Sequence, residues 1–107
     1  MPADYVLADI QAAEHEVPSD GILTRTLCQT DDCKAVLFIF APGQELSEHT
    51  ASMPAILHVL AGEARIRLGD DTIEARPGSW MHMPAGMKHA VRAISRVVML
   101  LTLIKRG

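Results

Sequence analysis

A chain of 107 residues, 49% hydrophobic and 21% charged, has the composition of one folded domain over 1–107 and leaves little scope for a long disordered tail. Its formal net charge of −3 argues against a nucleic-acid binder, which normally carries a clustered basic face, and leaves small molecules as the expected partners. The opening Met-Pro-Ala-Asp-Tyr-Val-Leu-Ala-Asp-Ile has no basic region leading into an apolar run, and apolar runs such as 97–101 are far too short to cross a bilayer. Neither a secretory leader nor a membrane anchor is therefore expected, and the cytoplasm is the expected location.

In chain order, residues 7–13 fit one helical turn and 5–7 a short edge strand. His15, between Glu14 and Glu16, reads as a solvated surface side chain. From Ile22 onward the chain breaks into short runs rich in Val, Ile, Leu and Thr with turn residues between them, the rhythm of a β-sandwich or barrel. The spacing predicts strands over 22–30, 35–41, 56–61, 63–68, 72–75, 79–83, 89–93 and 97–104. Pro42-Gly43, Gly69-Asp70, Pro77-Gly78 and Pro84-Ala85-Gly86 supply the fixed or positive φ angles that turns require. Cys28 and Cys33 flank Gln-Thr-Asp-Asp and read as two reduced thiols of a cytosolic protein, with a disulfide or half of a metal site as the alternatives.

Alternation tells which faces are wet. Along 63–68 charged and apolar residues take turns, so one face of that strand meets solvent. The runs 35–41 and 97–101 are apolar on both faces, so the outside of the barrel there must also be covered. The N-terminal segment is one candidate cover. A second copy of the chain is the more economical one, and a twofold homodimer is expected.

Four of the five histidines, His49, His58, His82 and His89, fall in or beside predicted strands, and imidazole is both the commonest metal ligand and a versatile acid and base. If Met83 pairs with Lys88 across a four-residue loop, His82 lies opposite His89 on one face with Trp80. Directly opposed side chains have Cβ atoms about 4.5–5.5 Å apart, close enough for two imidazoles to reach one ion. A one-residue slip would send His82 to the other side. Leu57, Val59, Trp80, Val91 and Ala93 share the inward parity and, with Met53 near the rim, would form an apolar pocket wall; packing is the plainer role for any one of them. Met81, Met83, Met87 and Met99 read as core or interface filler.

The spacing of Gly78, Pro84, Gly86 and His89 resembles the second conserved motif of the cupin family, which runs glycine, five residues, proline, one residue, glycine, two residues, histidine, three residues, asparagine. Ala93 stands at the final position. The family's first motif runs glycine, five residues, histidine, one residue, histidine, three or four residues, glutamate, six residues, glycine. Gly43, His49 and Gly62 match it, so the two motifs cover about 43–62 and 78–93. The chain is thus similar to small single-domain cupins of the RmlC-like, conserved-barrel type. That resemblance implies an all-β, double-stranded β-helix (jelly-roll barrel) with a ligand or metal at its mouth.

Two departures bear on function. Ala51 stands where the motif has its second histidine and Ala55 where it has its glutamate, so only His49 and His89 carry over as metal ligands. His82 is the expected replacement and His58 a weaker one, since on simple alternation it points away from the lost glutamate. Three histidines would suit Zn, Fe, Ni or Cu as a divalent cofactor and leave open positions for substrate. The two functions expected are a metal-dependent oxygenase or isomerase acting on a small organic substrate, and a non-catalytic, metal-free small-molecule-binding protein. No phosphate-cradling glycine loop, zinc-finger cysteine pattern or nucleophile elbow is present.

Overall fold

The computed structural model describes residues 5–11 and 20–105, and within them nine strands form two antiparallel sheets. In chain order they are β1 (Ile22–Gln29), β2 (Cys33–Phe40), β3 (Glu45–His49), β4 (Ala55–Ala61), β5 (Ala64–Leu68), β6 (Asp71–Ala75), β7 (Trp80–Met83), β8 (His89–Ala93) and β9 (Val97–Ile104). The first sheet has the order β1-β2-β9-β4-β7 and the second β3-β8-β5-β6. Six of the eight connections between successive strands cross from one sheet to the other, which is what folds the chain into a jelly-roll barrel. Among the described residues no helix is long and apolar enough to cross a membrane.

All eight predicted strands are present. β3 was not among them, because Glu-Leu-Ser-Glu-His offers a single apolar side chain and four of its five residues are exposed. β5 alternates as its sequence requires, with Ala64 and Ile66 buried and Arg65 and Arg67 exposed. The barrel interior is one continuous apolar cluster that includes Phe40, Leu57, Val59, Ile66, Val91 and Met99, all at most 2% exposed. Removing a side chain such as Leu57 from this packing costs about 2–5 kcal/mol.

A second, smaller cluster lies on the outside of the first sheet. Leu37, Ile39 and Val98 are fully buried there, packed against Ile10 of the N-terminal segment and against Leu23, Leu27, Leu60 and Leu100. Strands β2 and β9 are therefore covered on both faces, which explains why their sequences are apolar throughout. A helical turn begins at residues 10–11, while Tyr5–Leu7 forms no strand; the rest of the predicted turn, and His15, fall outside the described residues. Cys28 and Cys33, both half-buried, are free thiols on the first hairpin.

Gly62, the last residue of the first motif, turns β4 into β5. Its φ is +80°, and a Cβ there would land on the carbonyl oxygen of Arg96. Close backbone approach and a left-handed conformation together admit only glycine.

Candidate functional site

The two histidines that match the motifs meet at the mouth of the barrel. β8 is central in the second sheet, and His89 pairs in register with His49 on one side and with Leu68 on the other. Their rings lie 4.1 Å apart between centroids, tilted by 60°. His89 is only 5% exposed, whereas His49 is open to solvent, so the pair has a buried member and an accessible one.

A bulge in β3 makes this possible. Leu46 pairs with Val91 and His49 with His89, so Ser47 and Glu48 together oppose the single residue Ala90. Residues three apart on a regular strand face opposite sides. The extra residue resets the parity, so Leu46 joins the interior cluster and His49 still turns toward His89.

Both rings are held the same way. His89 Nδ1 bonds the Met87 carbonyl at 3.0 Å, and His49 Nδ1 bonds the Ser47 carbonyl at 2.8 Å. A carbonyl oxygen only accepts, so each Nδ1 carries the proton and donates it. In the neutral imidazole this leaves the Nε2 lone pair of each ring free, with the tautomer fixed by a backbone contact. The arrangement can receive hydrogen bonds from a ligand or supply two nitrogen donors to an ion.

His82 does not join them, which corrects the three-histidine expectation. β7 and β8 lie in different sheets and form no hairpin. The loop between them is tied elsewhere: the Gly86 amide donates to the Ala51 carbonyl at 2.8 Å, fastening it to the β3–β4 loop. β7 instead pairs with β4, with His82 opposite Ile56 and Trp80 opposite His58. The outer face thus carries His82, His58 and Trp80, the last 59% exposed, while Met81 and Met83 point inward and pack with the core. The alternation of Trp80-Met81-His82-Met83 was legible, but its sign was assigned to the histidine and belongs to the methionines.

The expected pocket wall is also corrected. Trp80 is on the outside, and Leu57, Val59 and Val91 face inward but are part of the packed core. Met53 sits half-buried in the β3–β4 loop.

The four-ligand set of the motif cannot be rebuilt from neighbours. Ala55 is 1% exposed and pairs with Met83 of β7 and Leu103 of β9, so apolar side chains flank the position of the missing carboxylate. Among the described residues no group of three His, Cys, Asp or Glu side chains comes together. Two imidazoles fall short of the three protein ligands a catalytic metal normally has, so the residues present do not fit a divalent transition metal.

Two antiparallel sheets with a histidine pair where β3 ends and β8 begins define a double-stranded β-helix protein. Residues 36–104 match the Cupin domain family model, and the chain belongs to the cupin family. It is similar to a conserved protein of unknown function from Streptococcus pyogenes, at 31% identity and a TM-score of 0.83 over 100% of this chain and 92% of that one. A cupin superfamily protein from Desulfitobacterium hafniense DCB-2 is 30% identical with a TM-score of 0.80, covering 85% of this chain and 84% of its own. KdgF from Halomonas sp., at 23% identity and a TM-score of 0.73 over 85% and 86% of the two chains, shares the fold. No curated protein matches the chain.

Proposed function

We propose that this protein binds a small organic molecule at the barrel mouth through His49 and His89, without a metal, and acts as a binding module rather than as an oxygenase or isomerase. The observation that carries the proposal is the shared tethering of the two rings: their centroids lie 4.1 Å apart and each Nδ1–H is spent on a backbone carbonyl, so the Nε2 of each ring is left for a ligand. A ligand with hydroxyl or N–H donors on an otherwise apolar body suits two imidazole nitrogens set beside apolar side chains. Ala51 and Ala55 support the metal-free form, because they remove half of the motif's donors and Met83 and Leu103 flank the second vacancy.

Elemental analysis of untagged protein, before and after incubation with Zn, Ni, Fe(II) and Cu, tests this directly. The expected content is below about a tenth of an equivalent per chain, unchanged by added metal. Close to one equivalent that disappears in His89→Ala and persists in His82→Ala would overturn the metal-free form in favour of the oxygenase or isomerase alternative.

We also infer that the chain is a homodimer joined through the outside of its first sheet. Ile10 packs on the β2 and β9 part of that face. Toward β7 it continues with half-buried Ile56, His58, Leu60 and Leu100 and ends in exposed Trp80, a side chain enriched in interface cores.

A further inference from the structure

The outer face of the second sheet carries a groove of about 330 Å³ lined by Glu45, Glu48, Arg65, Arg67, Ala90 and Arg92 among others. Register explains its shape. One row across β3, β8, β5 and β6 reads Glu45, Arg92, Arg65, Glu74, and the next row has Ala90 beside Arg67 and Thr72. Ala90 is a small side chain on the central strand among long charged ones, and the β3 bulge opposite it carries Glu48 on the edge strand. The depression is the space that Ala90 leaves.

The charges in this groove do not all cancel in pairs. Arg65 Nε donates to Glu74 Oε1 at 2.8 Å, and Arg67 Nη2 stands 3.4 Å from Glu48 Oε1. Arg92 and Glu45 are left, directly opposite one another in register, and the side chain of neither has a hydrogen bond or ion pair with any described residue. One free guanidinium and one free carboxylate therefore stand side by side above an apolar floor. A plain anion entering the groove would meet Glu45, and a plain cation would meet Arg92. A molecule carrying both charges a few ångströms apart satisfies both at once, since complementary charge selects a partner by excluding those of the wrong sign.

We propose that this groove is a second ligand site, distinct from the barrel mouth, for a zwitterion of the α-amino-acid class, with its carboxylate on the Arg92 guanidinium and its ammonium on the Glu45 carboxylate. Guanidinium binds carboxylate through paired N–H donors, which gives orientation as well as attraction. The volume is at the lower end of small-ligand pockets and suits a single amino acid.

The test is a titration of isotope-labelled protein followed by amide chemical shifts with three probes of one shape: L-leucine, leucinamide, which keeps only the ammonium, and 4-methylpentanoate, which keeps only the carboxylate. Leucine is expected to give saturable shifts at Arg67, Ala90 and Arg92, with both analogues at least about tenfold weaker. Arg92→Gln and Glu45→Gln should each weaken leucine by a similar factor while keeping a native amide spectrum, and Arg76→Gln, outside the groove, should leave it unchanged. Equal responses to all three probes, no saturable response to any, or leucine binding indifferent to both substitutions would overturn the proposal, the last of these meaning that Glu45 and Arg92 serve only each other.

Discussion

A few residues in this chain are chosen for what they exclude. Gly62 is the clearest, because its positive φ and the Arg96 carbonyl beside it forbid a side chain for two independent reasons. Gly62→Ala is expected to destabilise the fold by about 2–4 kcal/mol, the range of a strained backbone with a forced shift of its neighbour. Urea denaturation should show an unchanged m-value with a lower midpoint. A loss under about 0.5 kcal/mol would mean the two backbones part readily. Arg96 belongs to the β8–β9 connection, so this glycine locks the end of the first motif against the segment that follows the second. Ala51 and Ala55 are the opposite kind of choice: small residues where related motifs place ligands.

At the level of elements, the bulge in β3 and the pairing of β7 decide which histidines meet. The interior strands were legible because Val, Ile and Leu recur with strand period and turns punctuate them. β3 was not, since four of its five residues face solvent and a strand held mainly by backbone pairing leaves little trace in side-chain pattern. The His49–His89 pair was legible only through motif spacing; a sequence separation of 40 and a parity-resetting bulge lie beyond any local rule. His82 went astray because a Pro-Gly loop between two strands reads as a hairpin when it is a crossover between sheets. The alanines at the start of β4 and before it can be tested together. Restoring the motif in an Ala51→His, Ala55→Glu variant should create a site that takes up close to one equivalent of divalent metal, where the native chain takes up almost none. Without metal the variant should melt lower, because a carboxylate at the buried Ala55 position between Met83 and Leu103 loses hydration without a partner. Added metal should raise the midpoint again by about 4–8 °C for each kcal/mol of binding linkage. A stable variant indifferent to metal would mean that the frame around His49 and His89 has itself drifted from a metal-binding geometry.

For the molecule as a whole, the two sheets present two different outer faces, and the difference follows from composition. The second sheet faces outward with Arg65, Arg67, Glu74 and Arg92, a charged surface at ease in water. The first faces outward with Leu37, Ile39, Val98, Leu100, Ile56 and Trp80, which is not. Ile10 shields the part over β2 and β9, and the remainder toward β7 is where a twofold partner would sit, each copy covering the same patch of the other. The single tryptophan makes this readable without a label. Sedimentation equilibrium should give a mass near twice the 11.6 kDa of one chain, and Trp80 emission should move to longer wavelength as dilution separates the subunits. Trp80→Lys should sediment as a single chain, since an ammonium desolvated in the contact opposes association whereas the monomer fold, in which this side chain is already exposed, loses little. His58 lies directly across from Trp80 and would be enclosed with it, so His58→Asp should also weaken the dimer while a rim change such as Arg25→Gln should not. A Trp80→Lys protein that keeps the doubled mass would place the contact elsewhere and leave the tryptophan as an ordinary surface residue.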